Sequence, residues 1–333
     1  MRLEAPDFWQ KHSSLFSKIL LPAAKVYAFA GWIRRKKTAA YKSKIPVICI
    51  GNLMMGGVGK TPLAVSFAEF FKMNGKRPVF LTRGYGGGLS NVLVDLDVHT
   101  SKDVGDEALL LAKVAPTVVD FNRKRGAKYA ERLGADLIIM DDGFQNPTLH
   151  KDYSVIVFDG RLGIGNGRVF PAGPLREPLQ TGLKRAQAFL IVGKDKTNVR
   201  DKVECLFPDL PFFATHIEQD AQVISALENK KVVAFAGIGL PHKFFDMLKE
   251  YGLDVVDSKA FPDHYVYTDA DLQALREYAA GMGAVLATTE KDAVRVPETH
   301  RKDLYAVPAR MVWDTTAELM NTLYRFCRED ENV

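Results

Sequence analysis

A glycine-rich stretch early in the chain holds the residue types that bind phosphate. It reads Gly51-Asn52-Leu53-Met54-Met55-Gly56-Gly57-Val58-Gly59-Lys60-Thr61-Pro62 and follows the apolar run Ile45–Ile50. Glycines leave backbone N–H groups free to meet phosphate oxygens, a lysine adds positive charge, and a hydroxyl beside it can bind Mg²⁺. The stretch predicts a loop that binds a nucleoside triphosphate through Met54, Met55, Gly56, Gly57, Val58, Gly59, Lys60 and Thr61.

This loop departs from the strict P-loop pattern at its first position, where a glycine is usual and Met54 stands. Gly56 and Gly57 can supply the flexibility instead, and the loop has the strand before it and the helical stretch after it that a P-loop needs. A glycine-rich turn without a ligand is the alternative, which these flanks disfavour. We expect Lys60 to act in catalysis and Thr61 to bind the metal.

Two acids end an apolar run farther along the chain, in Leu137-Ile138-Ile139-Met140-Asp141-Asp142. Carboxylates at the carboxyl end of a parallel strand face the ligand crevice. Acids also end strands without any function, but the glycine loop upstream favours the functional interpretation. We expect Asp141 and Asp142 to contribute to a Mg²⁺ site, with one of them binding directly or through water and the other orienting it or meeting substrate.

Two further strings could serve a phosphate acceptor. Asp106 and Glu107 precede an apolar helical run, and His264 lies in Phe261-Pro262-Asp263-His264-Tyr265. A carboxylate or a histidine can take the proton of a hydroxyl that attacks phosphorus. Each string also has an ordinary explanation, because acids in the first turn stabilise a helix and histidines are common in loops.

Apolar runs that alternate with helical stretches predict the elements that position these residues, and they indicate parallel strands. The runs are Ile45–Ile50, Val79–Leu81, Thr117–Asp120, Leu137–Met140, Ser154–Phe158, Ala188–Val192, Val232–Ala236 and Ala284–Thr288. The segment 160–178 is rich in Gly, Pro and Arg and is interpreted as a domain junction. The predicted α/β fold has an amino-terminal helix at 1–40, a P-loop NTPase-like parallel-sheet domain at 41–165, a smaller α/β domain at 166–312 and a carboxyl-terminal helix at 313–333.

Positive charge is concentrated at the amino terminus. The chain of 333 residues has a net charge of +5, and residues 1–44 carry ten Lys or Arg against Glu4 and Asp7, which leaves −3 for the rest. The apolar segment Leu15–Ile33 is interrupted by Lys18, Pro22 and Lys25, so it is too short to span a membrane. Arg34, Arg35, Lys36 and Lys37 follow it. We predict an interfacial membrane helix, with a helix packed on its own domain as the alternative.

Other bulk features narrow the class of protein. The slightly acidic remainder offers no long basic face, so no nucleic-acid partner is expected. Cys49, Cys205 and Cys327 show neither zinc-site spacing nor an even count, which favours a reduced, cytoplasmic setting.

Taken together, the strings resemble one family, the tetraacyldisaccharide 4'-kinases of lipid A biosynthesis, over nearly the whole chain. The missing first glycine of the P-loop agrees with that family. The resemblance rests on Gly51-Asn52, Gly56-Gly57-Val58-Gly59-Lys60-Thr61-Pro62, Thr82-Arg83-Gly84-Tyr85-Gly86, Gly105-Asp106-Glu107, Asp141-Asp142-Gly143-Phe144-Gln145, Gly165-Asn166-Gly167-Arg168, Pro171-Ala172-Gly173-Pro174-Leu175-Arg176-Glu177-Pro178, Asp263-His264 and Thr288-Thr289-Glu290-Lys291-Asp292.

The resemblance implies transfer of the ATP γ-phosphate, with Mg²⁺, to the 4'-hydroxyl of a tetraacyl disaccharide 1-phosphate, giving lipid IVA. It implies that Asp106 acts with His264 on that hydroxyl as the two domains close, and that Glu107, Asp141 and Asp142 surround the metal. The substrate-side residues it implies are Arg83, Tyr85, Gln145 and Arg176. It places the enzyme on the cytoplasmic face of the inner membrane, with the lipid-linked disaccharide as partner and no obligate protein partner.

Several residues, and the function itself, have more than one explanation in the sequence. Asn146 stands where the family commonly has histidine, so no role is assigned to it. Arg176 could instead link the domains by a salt bridge, and Lys291 and Asp292 could pair at a core edge or between domains. A membrane-associated P-loop ATPase switch is the alternative function. A GTPase lacks support because no Asn-Lys-x-Asp string occurs, and a lipid-binding scaffold would not need Thr61 with both aspartates.

Overall fold

The computed structural model describes residues 6–11, 13–314 and 319–324. The predicted segments 1–40 and 313–333 therefore lie partly outside the described residues. Within the second of these segments, Leu319, Met320 and Leu323 are buried in the same core as Phe67. The described end of the chain thus packs on the unit that carries the glycine loop.

The described residues form thirteen strands, eight of which coincide with the predicted apolar runs, because strands of a parallel sheet that are buried on both faces are continuously apolar. In chain order they are β1 (Val47–Gly51), β2 (Pro78–Thr82), β3 (Val92–Leu93), β4 (Thr117–Val119), β5 (Leu137–Asp141), β6 (Tyr153–Asp159), β7 (Ala188–Val192), β8 (Phe212–Gln219), β9 (Lys231–Ala236), β10 (Asp254–Ala260), β11 (Ala284–Thr289), β12 (Leu304–Val307) and β13 (Ala309–Trp313).

Helices connect most of these strands. In chain order they are α1 (Leu15–Ile19), α2 (Leu21–Lys37), α3 (Lys60–Met73), α4 (Ser101–Val104), α5 (Asp106–Ala112), α6 (Arg123–Arg132), α7 (Leu179–Leu183), α8 (Val199–Leu206), α9 (Ala221–Leu227), α10 (Pro241–Glu250), α11 (Asp269–Gly281) and α12 (Glu290–Ala293). Short 3₁₀ turns lie at Asp7–Trp9 and Glu298–His300.

Among the described residues the strands form two sheets. The larger sheet has the order β13-β8-β7-β6-β1-β5-β2-β4-β3, and the smaller sheet has the order β10-β9-β11-β12. All pairs are parallel except β3 with β4 and β13 with β8, at the two edges of the larger sheet. The predicted α/β fold, with a P-loop NTPase-like sheet and a second, smaller α/β unit, is confirmed.

Helices cover both faces of the larger sheet, so β1 is buried along its whole length. On one face, Ile48 and Ile50 pack with Leu63 and Phe67 of α3. On the other face, Val47 and Cys49 belong to the core that also contains residues of α6 and α8. This burial holds the carboxyl end of β1, and thus the start of the glycine loop, in a fixed place.

The strands divide at a different place from the predicted boundary between residues 165 and 166. β7, β8 and β13 belong to the larger sheet although they follow that boundary, and the smaller sheet begins only with β9. The segment 160–178 is not a linker, because it packs on the glycine loop: Pro174 accepts a hydrogen bond from the Met55 N–H at 2.8 Å, and the Arg176 N–H donates to Leu53 at 2.7 Å. Its glycines and prolines shape this packed loop.

The amino-terminal helices are fixed to that same loop on one side and exposed on the other. Ser17 of α1 is fully buried, and its hydroxyl accepts a hydrogen bond from Asn166 at 3.1 Å. The exposed apolar side chains of α1 and α2 include Leu15, Phe16, Ile19, Val26, Phe29 and Trp32. None of the helices in the described ranges has the length and apolar character needed to cross a bilayer.

Candidate active site

The glycine loop joins β1 to α3 at the carboxyl edge of the larger sheet. Gly56 (φ 112°) and Gly59 (φ 82°) have positive φ, a conformation that glycine adopts without strain. A Cβ atom built on Gly56 or Gly57 would meet nothing within 4 Å. The loop therefore has open space at Gly56 and Gly57, just before the amino terminus of α3, and helix amino termini bind phosphate through their N–H groups.

The two methionines of the loop fasten it to the segment 171–178. Met54 forms an isolated β-bridge with Leu175, and only 3% of its surface is exposed. The Met55 N–H donates to the Pro174 carbonyl oxygen at 2.8 Å. The Met54 side chain thus fills the core where the strict motif has a glycine, so this position can meet phosphate only through its backbone.

Asp141, the last residue of β5, lies directly beside the loop. Its Oδ2 accepts a hydrogen bond from the Thr61 hydroxyl at 3.3 Å, and its buried Oδ1 has no hydrogen-bond partner within the described residues. Burial, followed by the negative charge of Glu107, raises the pKa of Asp141 to about 7. A buried carboxylate oxygen without a partner, next to a threonine hydroxyl, suits a hard cation such as Mg²⁺.

A Mg²⁺ ion at this site needs few protein ligands. No group of three or more His, Cys, Asp or Glu side chains suited to a metal occurs in the described part of the chain. A P-loop magnesium ion is held by one or two protein oxygens together with nucleotide phosphates, so Thr61 and Asp141 are sufficient. The carboxylate of Glu107, another predicted metal ligand, lies 3.2 Å from the Lys291 ammonium group.

Asp142 lies between two cations. Its Oδ1 is 3.7 Å from Lys60 Nζ, and Arg176 donates to both carboxylate oxygens, at 2.7 and 3.3 Å. Burial alone would raise the pKa of Asp142, but the charges of Lys60 and Arg176 hold it below its usual range. Asp142 also has a positive φ of 50°, which is uncommon for a residue with a side chain. These contacts keep it ionised beside the loop.

Arg176 and Gln145 belong to one hydrogen-bond network at the root of the loop. Arg176 donates to Gln145 Oε1 at 3.3 Å, and Gln145 Nε2 donates to the Asn52 carbonyl oxygen at 2.8 Å. The adjacent Glu177 is buried and pairs with Arg185 at 2.6 Å. In the part of the chain that the structure describes, the side-chain contacts of Arg176 all lie around the larger sheet, so Arg176 does not link the two sheets.

Asp106 and His264 meet although they belong to different sheets. Asp106 begins α5 beside the larger sheet, and His264 lies in the loop that follows β10 of the smaller sheet. His264 Nδ1 is 2.6 Å from Asp106 Oδ2. The pair borders a cavity of about 140 Å³, lined by Tyr85, Gly86, Ser101, Lys102, Asp106, His264, Val266 and Arg295.

The predicted substrate-side residues Arg83 and Tyr85 follow β2, near this cavity. The Tyr85 ring is 57% exposed, and its centre lies 6.0 Å from that of His264. Arg83 is exposed and close to the buried Arg123, whose pKa falls to about 10 through burial first and the charge of Arg83 second. Arg123 is not one of the predicted site residues. It lies three residues after the aspartate that follows β4.

The structure explains three positions to which the sequence gave no definite role. Asn146 closes a turn, since its Oδ1 accepts from the Thr148 N–H at 2.8 Å and from the Thr148 hydroxyl at 2.7 Å. Lys291 pairs with Glu107 of the other sheet's unit, whereas Asp292 is buried and pairs with Arg295 at 2.9 Å. Lys291 is thus a contact between the two units, and Asp292 is a core residue of its own unit.

A parallel sheet with a strand, a glycine loop and a helix at its centre, and an acid at the end of the neighbouring strand, defines a P-loop nucleotide-binding protein. A sequence profile of the family described as Tetraacyldisaccharide-1-P 4'-kinase matches residues 16–328. The chain belongs to this family.

Individual relatives agree over almost the whole length. The tetraacyldisaccharide 4'-kinase of Paramagnetospirillum magneticum is 43% identical over 318 residues, which is 95% of this chain and 97% of the relative. That of Rhodospirillum rubrum is 44% identical, over 94% of each chain. The crystal structure of LpxK from Aquifex aeolicus in complex with ATP superposes with a TM-score of 0.78 at 27% identity, covering 94% of this chain and 99% of that one.

The family predicted from the sequence is confirmed, and the chain is accordingly an enzyme of the kinase class. The alternative of an ATPase switch without a lipid acceptor is not favoured by these relatives.

Proposed function

We propose that the protein transfers the γ-phosphate of ATP to the 4'-hydroxyl of tetraacyldisaccharide 1-phosphate, with Asp106 and His264 acting on the acceptor. The observation that carries the assignment of roles is the 2.6 Å contact between Asp106 Oδ2 and His264 Nδ1 at the edge of a cavity. The phosphate loop and the acid pair supply the donor side of the same reaction.

On the donor side, the glycine loop and the start of α3 bind the phosphates of ATP, and Lys60 neutralises charge on the transferred group. Thr61 and Asp141 hold Mg²⁺, with Asp142 beside them. When bound, Mg²⁺ neutralises phosphate charge during the transfer. Asp142 is fixed by Lys60 and Arg176, so the cations around the γ-phosphate are set before the acceptor arrives.

On the acceptor side, the 4'-oxygen attacks the γ-phosphorus atom, and the bond between that phosphorus and the β–γ bridging oxygen breaks to release ADP. The hydroxyl proton passes to Asp106, whose carboxylate is held by His264. Because phosphoryl transfer depends mainly on positioning and charge neutralisation, one placed base is sufficient. Arg83 and Tyr85 guide the sugar towards this base from the rim of the cavity.

Gln145 and Arg176 also act on the substrate, from positions next to the phosphate loop. Their hydrogen bonds join Asn52 to Asp142, so they set the angle at which the transferred phosphate is presented. Glu107 contributes charge near the metal while it pairs with Lys291. This pairing ties the donor side to the unit that carries His264.

We further propose that the protein works as a peripheral enzyme on the cytoplasmic face of the inner membrane, where its lipid substrate is anchored. Phe16 and Phe29 are 71% and 60% exposed on α1 and α2, and α2 ends with Arg34, Arg35, Lys36 and Lys37. Exposed aromatic and aliphatic side chains next to basic residues suit an anionic lipid surface.

The test is a transfer assay with γ-labelled ATP, Mg²⁺ and tetraacyldisaccharide 1-phosphate in detergent micelles, with Lys60→Ala as the paired variant. Labelled lipid from the wild-type protein, and none from Lys60→Ala, is the expected result. Hydrolysis of ATP with no labelled lipid would contradict the proposal and would favour the switch instead.

A further inference from the structure

Arg295 is a buried arginine that reaches Asp106 from the unit of the smaller sheet. Its side chain is 2% exposed, and its Nε lies 3.3 Å from Asp106 Oδ2. A buried guanidinium group is costly unless each of its donors finds a partner, so the full set of its contacts indicates what holds it there.

The donors of Arg295 are held by its own unit. Nε donates to the Lys291 carbonyl oxygen at 3.2 Å, so its approach to Asp106 is an ion pair beside that hydrogen bond. Nη1 donates to the carbonyl oxygens of Gly237 at 3.1 Å and Tyr265 at 3.0 Å. Nη2 donates to Gly237 at 3.1 Å and lies 2.9 Å from Asp292 Oδ1. Asp292 is itself fixed, since Oδ1 also accepts from the Tyr267 hydroxyl at 2.7 Å. The guanidinium group is therefore rigid whether or not Asp106 is docked against it.

The same guanidinium group supports the backbone of His264 on both sides. The His264 N–H donates to the Gly237 carbonyl oxygen at 2.9 Å, and the next residue, Tyr265, accepts from Arg295. His264 has a positive φ of 58°, a conformation that persists in a residue with a side chain only when its surroundings hold it. Arg295 thus donates both to the carbonyl group that accepts from the His264 N–H and to the carbonyl group of the residue after His264.

The contacts on Asp106 fall on one oxygen atom. His264 Nδ1 and Arg295 Nε both approach Oδ2, at 2.6 and 3.3 Å. A carboxylate can accept at both of its oxygens, and within the described residues no partner lies on Oδ1, so this oxygen is available to a hydroxyl that enters the adjoining cavity. Rotation of the carboxylate about its Cβ–Cγ bond would move Oδ1 away from the acceptor, and the two contacts on Oδ2 oppose that rotation.

We propose that Arg295 is a positioning residue for phosphoryl transfer. It holds Oδ2 of Asp106 and the His264 loop in one rigid frame, so that Oδ1 of Asp106 faces the acceptor when the two units are docked. This inference rests on the proposed function and adds to it a residue that touches neither ATP nor the reacting hydroxyl. A misplaced catalytic group can cost about 100-fold in rate, which sets the size of the effect.

The experiment compares Arg295→Lys and Arg295→Met with wild type in the lipid transfer assay. The matched control is Arg301→Met, because Arg301 also donates to backbone carbonyl oxygens after α12, those of Val296 at 2.8 Å and Val294 at 3.4 Å, and does not touch Asp106. We expect kcat to fall about 10- to 100-fold in Arg295→Lys with the KM for ATP little changed. The control should keep wild-type kcat.

A second measurement separates positioning from a general loss of folding. In the background of Asp106→Asn, where the base is already lost, Arg295→Lys should cost less than about threefold, because the two residues act as one unit. The same fold-loss in both backgrounds, or full kcat in Arg295→Lys alone, would overturn the inference. If Arg295→Met does not fold, Arg295→Lys still decides. Absence of labelled lipid from the wild-type protein would instead refute the proposed function itself.

Discussion

Asp106 Oδ2 and His264 Nδ1 lie 2.6 Å apart although 158 positions separate the two residues in sequence. Asp106 is placed by the first turn of α5, and His264 by a loop of the smaller sheet. Any motion that separates the two units must break this contact, so the proposed acceptor site is complete only when they are docked. The donor side, by contrast, is assembled within the larger sheet alone.

The first prediction concerns the support of Asp142. Arg176→Met removes two charge-assisted hydrogen bonds and leaves Lys60 as the nearby cation. Such bonds contribute about 1.5–3 kcal/mol each, so kcat/KM for MgATP should fall by at least about tenfold. Initial rates at varied MgATP would measure this.

A control with the same chemistry is available at the opposite edge of the sheet. Arg77 makes a two-point ion pair with Asp136, at 2.9 and 3.1 Å, just before β2. Arg77→Met should leave kcat/KM unchanged. If it lowered activity as much as Arg176→Met, the effect would have to be assigned to lost stability and not to Asp142.

The second prediction concerns pH and the stability of the protein without nucleotide. The pKa of Asp141 is raised to about 7, so the folded state binds a proton more readily than the unfolded state. This group therefore destabilises the fold above pH 7, and the loss is relieved as pH falls towards the unfolded pKa. Asp141→Asn should melt higher than wild type at pH 8, and the gap should narrow steadily from pH 7 to pH 5.

Thermal melts in EDTA over that pH range would measure the difference. A gap between Asp141→Asn and wild type that stays constant with pH would show that the buried carboxylate does not titrate there. Addition of MgATP should reverse the order at pH 8, because ligand binding to the folded state of the wild type stabilises it.

The third prediction concerns the membrane surface. Phe16→Glu replaces a side chain that is 71% exposed, so the fold should be retained while vesicle binding weakens. Burying an aromatic side chain contributes about 1.5–3 kcal/mol, which corresponds to roughly a tenfold or larger loss of partitioning. Sedimentation with anionic lipid vesicles would measure it, with Met73→Glu, at a position that is 79% exposed on α3, as the control.

Equal binding by Phe16→Glu and wild type, or an equal loss in Met73→Glu, would contradict this assignment of the lipid-facing surface. A deletion of the amino-terminal helices would be a weaker test. It would also remove the hydrogen bond between Ser17 and Asn166, and with it a support of the loop that packs on the phosphate site.

The central strands could be read from the sequence because their burial on both faces requires continuous apolar runs. Five strands were not predicted: β3, β8, β10, β12 and β13. Only Phe213 and Thr215 of β8 are buried, and β13 is an edge strand that arrives from far along the chain. The predicted boundary at residue 165 failed for a related reason. Glycine and proline mark a turn, but they do not tell whether the turn is packed or a linker.

The site residues also fall into two groups: those that local sequence patterns indicate, and those that only the fold brings together. The glycine loop and the strand-end acids are local strings, so sequence alone located them. The contacts of Arg295 with Asp106, and of Lys291 with Glu107, join distant segments and depend on how the two units dock. The i,i+3 spacing of Asp292 and Arg295 indicates that these two side chains can pair. It does not indicate that Asp106 is a partner of Arg295.

The proposed role of Asp106 is tested by two measurements on Asp106→Asn. One is the single-turnover rate of labelled phosphate transfer, and the other is the affinity for MgATP. In the proposed mechanism Asp106 acts only on the acceptor hydroxyl, so the rate should fall about 10²- to 10⁴-fold while the affinity stays near that of wild type. His264→Gln should lower the rate in the same direction. A rate near that of wild type in Asp106→Asn, or a loss of ATP affinity as large as the loss of rate, would contradict the proposal that Asp106 acts on the acceptor hydroxyl.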